Sequence, residues 1–475
     1  MASLALRKRG EMTWEVTADA RPDMRVPARL YADEKLLDAI RRDRSLDQLV
    51  NVATLRGLRG CVYAMPDVHE GYGFPVGGVA ATDARTGVIS PGGVGYDINC
   101  GVRLLAAEVT ADDVGGRVEG IVHDLARSIP SGQGRGGALS LDDEELDRVL
   151  EEGCRYLVER GLASADDLEA IEAGGRLAGA EAAAVSERAK ERGRNQLGTL
   201  GSGNHFVEVG VVDEVFDEAA AAAFGLRARQ VTLLIHSGSR GLGHQVCTDY
   251  VKLMDRVMAR YDIVLPDREL ACAPLDSPEG QRYFAAMSAA GNFAWSNRQL
   301  IAEGGRKVFR RALGGAGALR LVYDVAHNLA KLEEHDGVRL CVHRKGATRA
   351  FGPSHPETPA RYRGAGQPVI IPGSMGTASY VLAGTDAALG LSFGSTCHGA
   401  GRAMSRTAAR RAAKGQDVRR ELEGAGIVVR CASAGELAEE APIAYKDVDR
   451  VVNVVHEVGI ARKVARLRPL GVVKG

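Results

Sequence analysis

The polar residues that could carry chemistry in this chain lie in short clusters bracketed by glycine. Glycine accounts for 59 of the 475 residues and proline for only 16, so glycine reaches about 12% against a usual value of about 7%. Because glycine adopts backbone conformations that other residues avoid, this excess predicts many tight turns and close approaches between backbone segments. It argues against a disordered, collagen-like or coiled-coil chain.

The overall composition is that of a globular protein without a global charge. Hydrophobic residues make up 45% of the chain, and 61 basic residues balance 61 acidic ones. A nucleic-acid partner would therefore have to be held by local patches. The eight cysteines include no C-x-x-C pair, which argues against a disulfide framework or a zinc ribbon. No signal peptide and no run of ~18 apolar residues is found, so we expect a cytoplasmic protein without a membrane span.

Periodicity predicts a single large α+β domain over residues 1–475, because no repeat, linker or charge block divides the chain. Residues 140–194 are expected to form a helical insertion, whose helices begin at the capping pairs Ser140 with Asp143 and Ser164 with Asp167. Residues 60–101 are expected to be rich in turns. Strand-like runs fall mainly late in the chain, at residues 231–236, 320–325, 338–343, 368–371, 379–383, 427–431 and 451–455.

Several common catalytic motifs are missing from the sequence. It contains no P-loop and no H-E-x-x-H, and no lysine opens the K-x-[DN]-G motif of lysine-dependent polynucleotide ligases. The polar clusters that remain are residues 65–73, 95–101, 201–208, 234–241, 325–328 and 395–402.

Two of these clusters and two strand ends suggest a metal site. Asp97 and Cys100 are close enough in one turn to bind the same ion, and His236 and His327 each end an apolar run. This mixed ligand set suits Mn²⁺, Fe²⁺, Co²⁺ or Zn²⁺, and two ions sharing a bridging group would support phosphoryl chemistry. The alternative is that Cys100 is a buried core thiol and that the histidines cap strands.

Three further features could bind or attack phosphate. His398 is followed by small residues that would let a nucleotide approach, and a neutral imidazole is a good nucleophile toward phosphorus; the alternative is an ordinary turn histidine. Residues 372–379 offer backbone N–H groups and hydroxyls to an anion, or form a plain turn. Four arginines could bind phosphates or lie on solvated helix faces, namely Arg192, Arg194, Arg402 and Arg406.

Taken together and in order, the clusters resemble the RtcB family of RNA-splicing ligases. The segments that carry the resemblance are PDVHEGYGFPVGG, GGVGYDINCGVR, LGTLGSGNHF, IHSGSRGLG, DVAHN, IPGSMGTASYV, CHGAGRAMSR and the final PLGVVKG. They extend from about Met65 to Gly475, and the match is weakest over residues 105–190.

The resemblance implies an enzyme that joins an RNA 3′-phosphate or 2′,3′-cyclic phosphate to a 5′-hydroxyl end, in tRNA splicing or RNA repair. It implies GTP and two Mn²⁺ ions as cofactors, a histidine–GMP intermediate followed by an RNA(3′)pp(5′)G intermediate, and a family-specific α+β fold. It also implies stimulation by the small protein archease. We expect a monomer.

The resemblance also assigns residues. Asp97, Cys100 and His205 would bind one Mn²⁺, while Cys100, His236 and His327 would bind the second. His398 would be guanylylated. The residues around the guanosine nucleotide would be Asn204, His205, Phe206, Val207, Glu208, His327, Asn328, Pro372, Gly373, Ser374, Met375, Ser379, His398, Gly399, Ala400, Gly401 and Lys474.

Two expectations about the site come from chemistry. A histidine nucleophile needs its second ring nitrogen held so that the tautomer is fixed, and Asp67 in its rigid turn could hold His398, with a simple turn cap as the alternative. Lys474 would reach back into the nucleotide site if the apolar residues 469–473 dock as a strand, and would otherwise be a frayed chain end.

Three other functions compete with ligation. A metal-dependent phosphodiesterase or nuclease would use the metal site but leave His398 and residues 372–379 without a role. Guanylyl capping of 3′-phosphate ends without sealing would share the first two chemical steps. A non-enzymatic RNA-binding module is disfavoured by the 5% aromatic content and the lack of a basic stripe.

Overall fold

The computed structural model describes residues 5–132, 136–137, 139–431 and 433–475. Within these ranges the strands are β1 (Arg7–Gly10), β2 (Thr13–Val16), β3 (Ala28–Tyr31), β4 (Val62–His69), β5 (Val76–Asp83), β6 (Val88–Ile89), β7 (Gly101–Thr110), β8 (Phe206–Val215), β9 (Gln230–Ser237), β10 (Ala273–Pro274), β11 (Leu319–Ala326), β12 (Asn328–His335), β13 (Val338–Lys345), β14 (Ala347–Arg349), β15 (Pro368–Ile371), β16 (Ser379–Gly384), β17 (Ser395–Cys397), β18 (Val428–Cys431) and β19 (Ala461–Lys474).

The helices of the described residues are α1 (Glu34–Ile40), α2 (Ser45–Val52), α3 (Ala111–Val114), α4 (Val118–Ser128), α5 (Asp143–Glu152), α6 (Cys154–Glu159), α7 (Ala165–Glu169), α8 (Glu187–Gly193), α9 (Glu218–Phe224), α10 (Arg240–Val257), α11 (Pro278–Leu313), α12 (Ala388–Ser392), α13 (Arg406–Ala412), α14 (Gly415–Gly424), α15 (Ala434–Glu439) and α16 (Val448–Glu457). None of them has the length and apolarity that crossing a membrane requires. The mixture of helices and sheets confirms the α+β class.

Two large mixed sheets organise the strands. One sheet has the order β1-β2-β3-β4-β5-β13-β12, and the other has the order β11-β7-β9-β8-β19-β16-β15 with β18 paired to β19. Most neighbours are antiparallel, but β3 with β4 and β18 with β19 are parallel. The two sheets are joined directly, since only His327 separates β11 of one sheet from β12 of the other.

Two hydrophobic cores lie on opposite faces of the strands. In β13, Leu340 and Val342 pack in one core, while Cys341 between them packs in the other. Ile370 and Ile371 in β15 divide in the same way. Side chains alternate across a strand with a period of two, so a strand that is covered on both faces is a continuous apolar run.

The segment predicted as a helical insertion contains helices α5 to α8, but one of its predicted caps is wrong. Ser164 accepts a hydrogen bond from the N–H of Asp167 at 3.1 Å and begins α7 as expected. In contrast, α5 is capped by Asp142 and not by Ser140. The Asp142 carboxylate accepts the N–H of Glu145 at 2.9 Å, and Glu145 accepts the N–H of Asp142 in return. Asp142 satisfies the same capping spacing two residues later, with a glutamate at the third helical position.

Two predictions about strands are also wrong. Residues 451–455 belong to helix α16, where Val448, Val451, Val452 and Val455 are buried and Asn453 is exposed. This valine spacing of three and four residues forms one helical face, which outweighs the strand preference of valine. Strands are also not confined to the later part of the chain, because β1 to β7 all precede residue 111 and β4 to β6 lie within the segment predicted as turns.

Helix α11 is 36 residues long and is buried along most of its length, including several polar side chains. The guanidinium of Arg298, which is fully buried, donates to both carboxylate oxygens of Asp324 at 2.8–3.2 Å. It also donates to the carbonyl oxygens of Asn99 at 2.7 Å and Ser237 at 2.9 Å. Arg298 thereby fixes the turn that precedes β7 against the end of β9.

Replacing Arg298 with methionine should strongly destabilise the protein. The change removes a buried ion pair and takes one donor from each of two buried carbonyls, so we expect the free energy of unfolding to fall by about 3–5 kcal/mol. Urea denaturation followed by circular dichroism measures this loss. The control Arg268→Met removes a guanidinium that is 83% exposed and pairs with Asp255 at the surface, and it should leave the midpoint unchanged. Equal losses in both variants would contradict the central role of Arg298.

Candidate active site

Strand register brings four of the predicted clusters to one edge of the larger sheet. Val102 and Phe206, near the starts of β7 and β8, both pair with His236 near the end of β9. Gly101 pairs with Ala326 at the end of β11. Since these pairs are antiparallel, the starts of two strands and the ends of the other two share an edge.

The turn around Cys100 depends on two glycines that admit close neighbours. A Cβ added to Gly101 would lie 2.2 Å from the carbonyl oxygen of Val325 and 2.8 Å from the guanidinium carbon of Arg298. A Cβ added to Gly238 would lie 2.3 Å from the carboxylate of Asp97. These two glycines therefore let the charged side chains of Arg298 and Asp97 approach the backbone more closely than any other residue would allow.

The five predicted metal ligands form two groups that share Cys100. Ligand atoms of Cys100, His236 and His327 lie within 4.8 Å of one another, and so do those of Asp97, Cys100 and His205. The Cys100 sulfur lies 3.2 Å from Nε2 of His236 and 3.5 Å from Nε2 of His205. The sequence predicted this set, and the structure brings all five side chains together.

The hydrogen bonds of His205 favour a cation in this cluster. Its Nδ1 lies 3.1 Å from the carbonyl oxygen of Leu200, which can only accept, so Nδ1 carries a hydrogen. In the neutral ring, Nε2 then presents a lone pair to the Asp97 carboxylate at 2.9 Å and to the Cys100 sulfur. A positive ion between these donors would stabilise the arrangement, and a set of imidazole, carboxylate and thiolate ligands fits a divalent transition metal.

Burial sets the charge of these ligands. It lowers the pKa of His236 and of His327 well below the usual value, so both rings are neutral and able to coordinate. For Asp97, burial acts to raise the pKa, but a His205 ring that is protonated on both nitrogens, and so donates from Nε2, outweighs burial and lowers the pKa to about 2. A metal ion bound to Nε2 would supply positive charge at the same place. Burial raises the pKa of the Cys100 thiol well above its usual value, so a bridging thiolate would need the charge of a metal ion beside it.

His398 directly follows β17 and is held by Asp67 in β4. One carboxylate oxygen of Asp67 accepts from Nδ1 of His398 at 2.6 Å and from the backbone N–H of His398 at 2.9 Å. The predicted contact is therefore present. Burial of Asp67 acts to raise its pKa, but the charge and hydrogen bonds of His398 outweigh it and lower the pKa. Because Nδ1 donates to Asp67, the free lone pair of a neutral His398 is on Nε2.

Lys446 holds the backbone on both sides of Asp67. The pairing of β4 with β5 is interrupted between Ala64 and His69, so the backbone around Asp67 leaves the regular ladder. The Lys446 ammonium donates to the carbonyl oxygens of Pro66, at 3.3 Å, and Val68. These bonds hold the irregular segment from which Asp67 reaches His398.

We name the main cavity of the site the His398 cavity; Asn204, His327, Ser374, His398 and Lys474 lie in its wall. The ring centroids of His327 and His398 are 5.2 Å apart, which places the predicted nucleophile beside the predicted metal ligands. Lys474 is 2% exposed and donates to the carbonyl oxygens of Gly203 and, at 3.0 Å, His205. The end of the chain thus docks as the strand β19, as its apolar residues predicted.

Most of the predicted nucleotide residues line this cavity, but His205, Val207, Glu208 and Ser379 do not. The lining includes Asn204, Phe206, Asn328, Pro372, Gly373, Ser374, Met375, Gly399, Ala400 and Gly401. Val207 packs in a core, and the Ser379 hydroxyl accepts the N–H of Gly373 at 3.1 Å and so supports the loop from below. Glu208 is buried, which raises its pKa to about 8.

Sequence reasoning missed three charged or polar residues of the cavity. Lys345, Glu440 and Tyr445 line it, but Lys345 ends a strand, Glu440 lies in the turn after α15 and Tyr445 lies in the connection before α16. None of them belongs to one of the polar clusters that the sequence marked. One oxygen of the buried Glu440 carboxylate has no hydrogen-bond partner among the described residues. The other accepts from Arg402 at 3.2 Å.

A second cavity opens on the other side of Asp97 and His205. We name it the Arg240 cavity; Tyr96, Asp97, Gln196, His205 and Arg240 lie in its wall, together with Arg192. Neither arginine forms an ion pair with a carboxylate of the described residues: Arg192 donates to Gln245 at 2.9 Å and Arg240 to Thr199 at 3.3 Å. Two cations without acidic partners make this cavity suitable for an anion.

Comparison with known proteins agrees with the order of the clusters. A family model described as tRNA-splicing ligase RtcB matches residues 48–475. The tRNA-splicing ligase RtcB of Archaeoglobus fulgidus is 54% identical over 477 residues, which covers 99% of both chains. That of Thermococcus kodakarensis is 53% identical over 479 residues, also 99% of both chains.

A bacterial relative is equally similar. The RNA-splicing ligase RtcB of Mycobacterium tuberculosis is 54% identical over 435 residues, which covers 90% of this chain and 100% of that protein. The likeness therefore includes every part of the site described above and confirms the resemblance seen in the sequence. This chain belongs to the RtcB family.

Proposed function

We propose that this chain is an RNA ligase that uses GTP to join a 3′-phosphate or 2′,3′-cyclic phosphate end to a 5′-hydroxyl end, in tRNA splicing or RNA repair. The observation that carries the proposal is the pairing of His398 with Asp67 beside two groups of metal ligands that share Cys100. The names of the relatives, which are tRNA- and RNA-splicing ligases, support it.

Mn²⁺ fits the ligand set as two ions. Asp97, Cys100 and His205 would hold one ion, and Cys100, His236 and His327 would hold the other. Bound there, the ions would supply positive charge that stabilises the developing charge on phosphate oxygens. Apart from this, the chemistry below depends on the chain's own residues.

His398 would act as the nucleophile. Asp67 accepts the hydrogen of Nδ1, so Nε2 is free to form a bond to the α-phosphorus of GTP while the bond to the pyrophosphate oxygen breaks. An oxygen of the RNA 3′-phosphate would then attack the phosphorus of the bound GMP. The bond from that phosphorus to Nε2 of His398 breaks, and the GMP is now attached to the RNA end. The 5′-hydroxyl would finally attack the RNA 3′-phosphorus, lose its proton and release GMP. A cyclic phosphate end must first be opened by hydrolysis.

The two cavities suit the two substrates. The His398 cavity combines the loop around Ser374, the small residues after His398 and the Lys474 ammonium, which together suit a nucleotide. The Arg240 cavity touches the same proposed metal ligands. It presents two arginines that form no ion pair with the carboxylates the structure describes, and these suit the phosphates of an RNA end. A nuclease would leave the His398–Asp67 pair without a role, whereas 3′-end capping would share these first steps. The monomeric state and the dependence on archease stay predictions.

The decisive test of the proposal is covalent labelling by GTP. We expect wild-type protein with Mn²⁺ and α-labelled GTP to form an acid-labile GMP adduct, and His398→Ala to form none, because alanine removes the attacking nitrogen. Asp67→Asn should slow labelling by about 10²–10⁴-fold, since an amide can favour the wrong tautomer. The control His123→Ala changes an exposed histidine on α4 and should label normally. Wild-type labelling of His398→Ala would contradict the assignment.

Removal of the shared sulfur should remove metal. We expect Cys100→Ala to lose bound Mn²⁺ after dialysis and to lose activity with it, because one sulfur serves both ligand groups. Cys397→Ala is the matched control: this thiol is equally buried and adjoins His398, but it belongs to neither group, so its metal content should equal that of the wild type. Elemental analysis measures the metal content. A Cys100→Ala protein with the full metal content would rule out the bridging role.

Loss of the Lys474 charge should weaken the use of GTP. A charged hydrogen bond contributes about 1.5–3 kcal/mol, so Lys474→Met should lower kcat/KM for guanylylation by about 10- to 150-fold without unfolding the protein. Lys463→Met on the same strand is the control, because Lys463 binds Asn453 at the surface, at 2.8 Å. If both variants label equally well at limiting GTP, Lys474 does not contact the nucleotide.

A further inference from the structure

Three aromatic side chains form a cluster where the two cavities meet. The ring centroids of Tyr72 and Tyr96 are 5.3 Å apart with the rings edge to face, and those of Tyr96 and His244 are 4.9 Å apart with the rings inclined by 30°. Tyr96 lies in the wall of both cavities, and His244 lies in the wall of the Arg240 cavity. The cluster therefore stands between the proposed nucleotide site and the proposed RNA site.

This cluster differs from the aromatic pairs of the core. Tyr250 with Tyr283 and Tyr323 with Tyr362 are buried pairs that fill volume. In contrast, His244 is exposed and Tyr96 is only partly buried. In a chain with 5% aromatic residues, adjacent rings left accessible in a cavity wall are not explained by core packing.

The groups beside the rings suit a nucleic-acid strand. Arg240, Arg192 and Gln196 share the Arg240 cavity with Tyr96 and His244, so cations and aromatic rings lie in the same wall. Proteins that bind unpaired RNA combine such groups, because cations hold the phosphates and rings stack on the bases. Every base has an aromatic face, so this contact would tolerate different terminal sequences.

We propose that Tyr96 and His244 form a stacking platform for the unpaired nucleobase at an RNA end whose phosphates lie in the Arg240 cavity. This inference rests on the proposed function, since it names how the same site holds its RNA substrate. The ligand class is an unpaired nucleobase next to a phosphodiester. The terminal base of either the 3′-phosphate strand or the 5′-hydroxyl strand provides that chemistry.

Abasic oligonucleotides test the proposal on the full protein loaded with Mn²⁺ and without GTP. The probes are short single-stranded RNAs with a 3′-phosphate or a 5′-hydroxyl end, each made with its terminal base present or absent, and fluorescence anisotropy gives the Kd. Stacking contributes about 1–3 kcal/mol per base, so loss of the base should weaken binding by the wild-type protein by about 5- to 150-fold. The probe that shows this loss identifies the strand that occupies the platform, and loss with both shows that each end can stack there.

Variants connect the effect to the rings. Tyr96→Leu and His244→Ala should weaken binding of the intact probe but not of the abasic probe, because only the base contacts the platform. Tyr96→Phe keeps the ring and should restore wild-type binding of the intact probe. Phe216→Leu is the matched control, since Phe216 is a surface aromatic that stacks on Tyr380 outside both cavities, and it should change neither affinity.

Two results would overturn the proposal. One is equal affinity of the wild-type protein for intact and abasic probes of both strands. The other is an equal loss for both probes in Tyr96→Leu, which would indicate a structural defect and not a lost stacking contact. These results differ from those that would contradict the proposed function. If the proposed function is wrong, His398 will not be labelled with GMP in a reaction that contains no RNA.

Discussion

The ion pair between Arg298 and Asp324 is the interaction on which the site depends most. Both side chains are fully buried, and Arg103 adds a second cation to the same carboxylate, at 2.7 Å. Without these partners, a carboxylate in such a core would be strongly destabilising. The remaining donors of Arg298 hold the turn before Cys100 and the strand end after His236, and the neighbouring Asn297 holds the backbone at Gly198 and Thr199. One turn of α11 therefore fixes three of the segments that carry the proposed metal ligands.

Some of the charged side chains of this protein are buried close to the site, although most charged side chains are not buried. The formal net charge is zero, yet Asp67 and Lys474 are buried, and Asp97 and Lys446 partly buried, around the His398 cavity and the proposed metal ligands. In a medium of lower dielectric than water, each of these charges acts more strongly on its neighbours. Local burial thus provides the electrostatic field that the overall composition does not.

The sequence was most informative where chemistry and backbone geometry are both local. Cys100, His236 and His398 each lie beside small residues or at a strand end, and their motifs marked them before the structure placed them together. Arg298 had no such mark, because its burial depends on Asp324, 26 residues away, and an arginine within a helix ordinarily faces solvent. Glu440 and Tyr445 were missed because their place in the cavity also depends on a residue distant in the sequence, Arg402, which contacts both of them. In α16 the sequence signal was present but was interpreted wrongly. Residues 451–455 alone form a strand-like run, and the spacing of a helical face becomes visible only when Val448 is included.

The order of strands in the smaller sheet has a consequence for how the chain is made. Strand β5 pairs with β4, which precedes it, but its other edge pairs with β13, so that Gly78 meets Lys345. Roughly 250 residues must be synthesised between β5 and β13, which at about 5–20 residues per second takes on the order of 10–50 s. Throughout that time the open edge of β5 is a surface onto which another strand could add. During translation there is therefore an interval in which the sheet is incomplete and the exposed edge of β5 must not pair with a non-native strand.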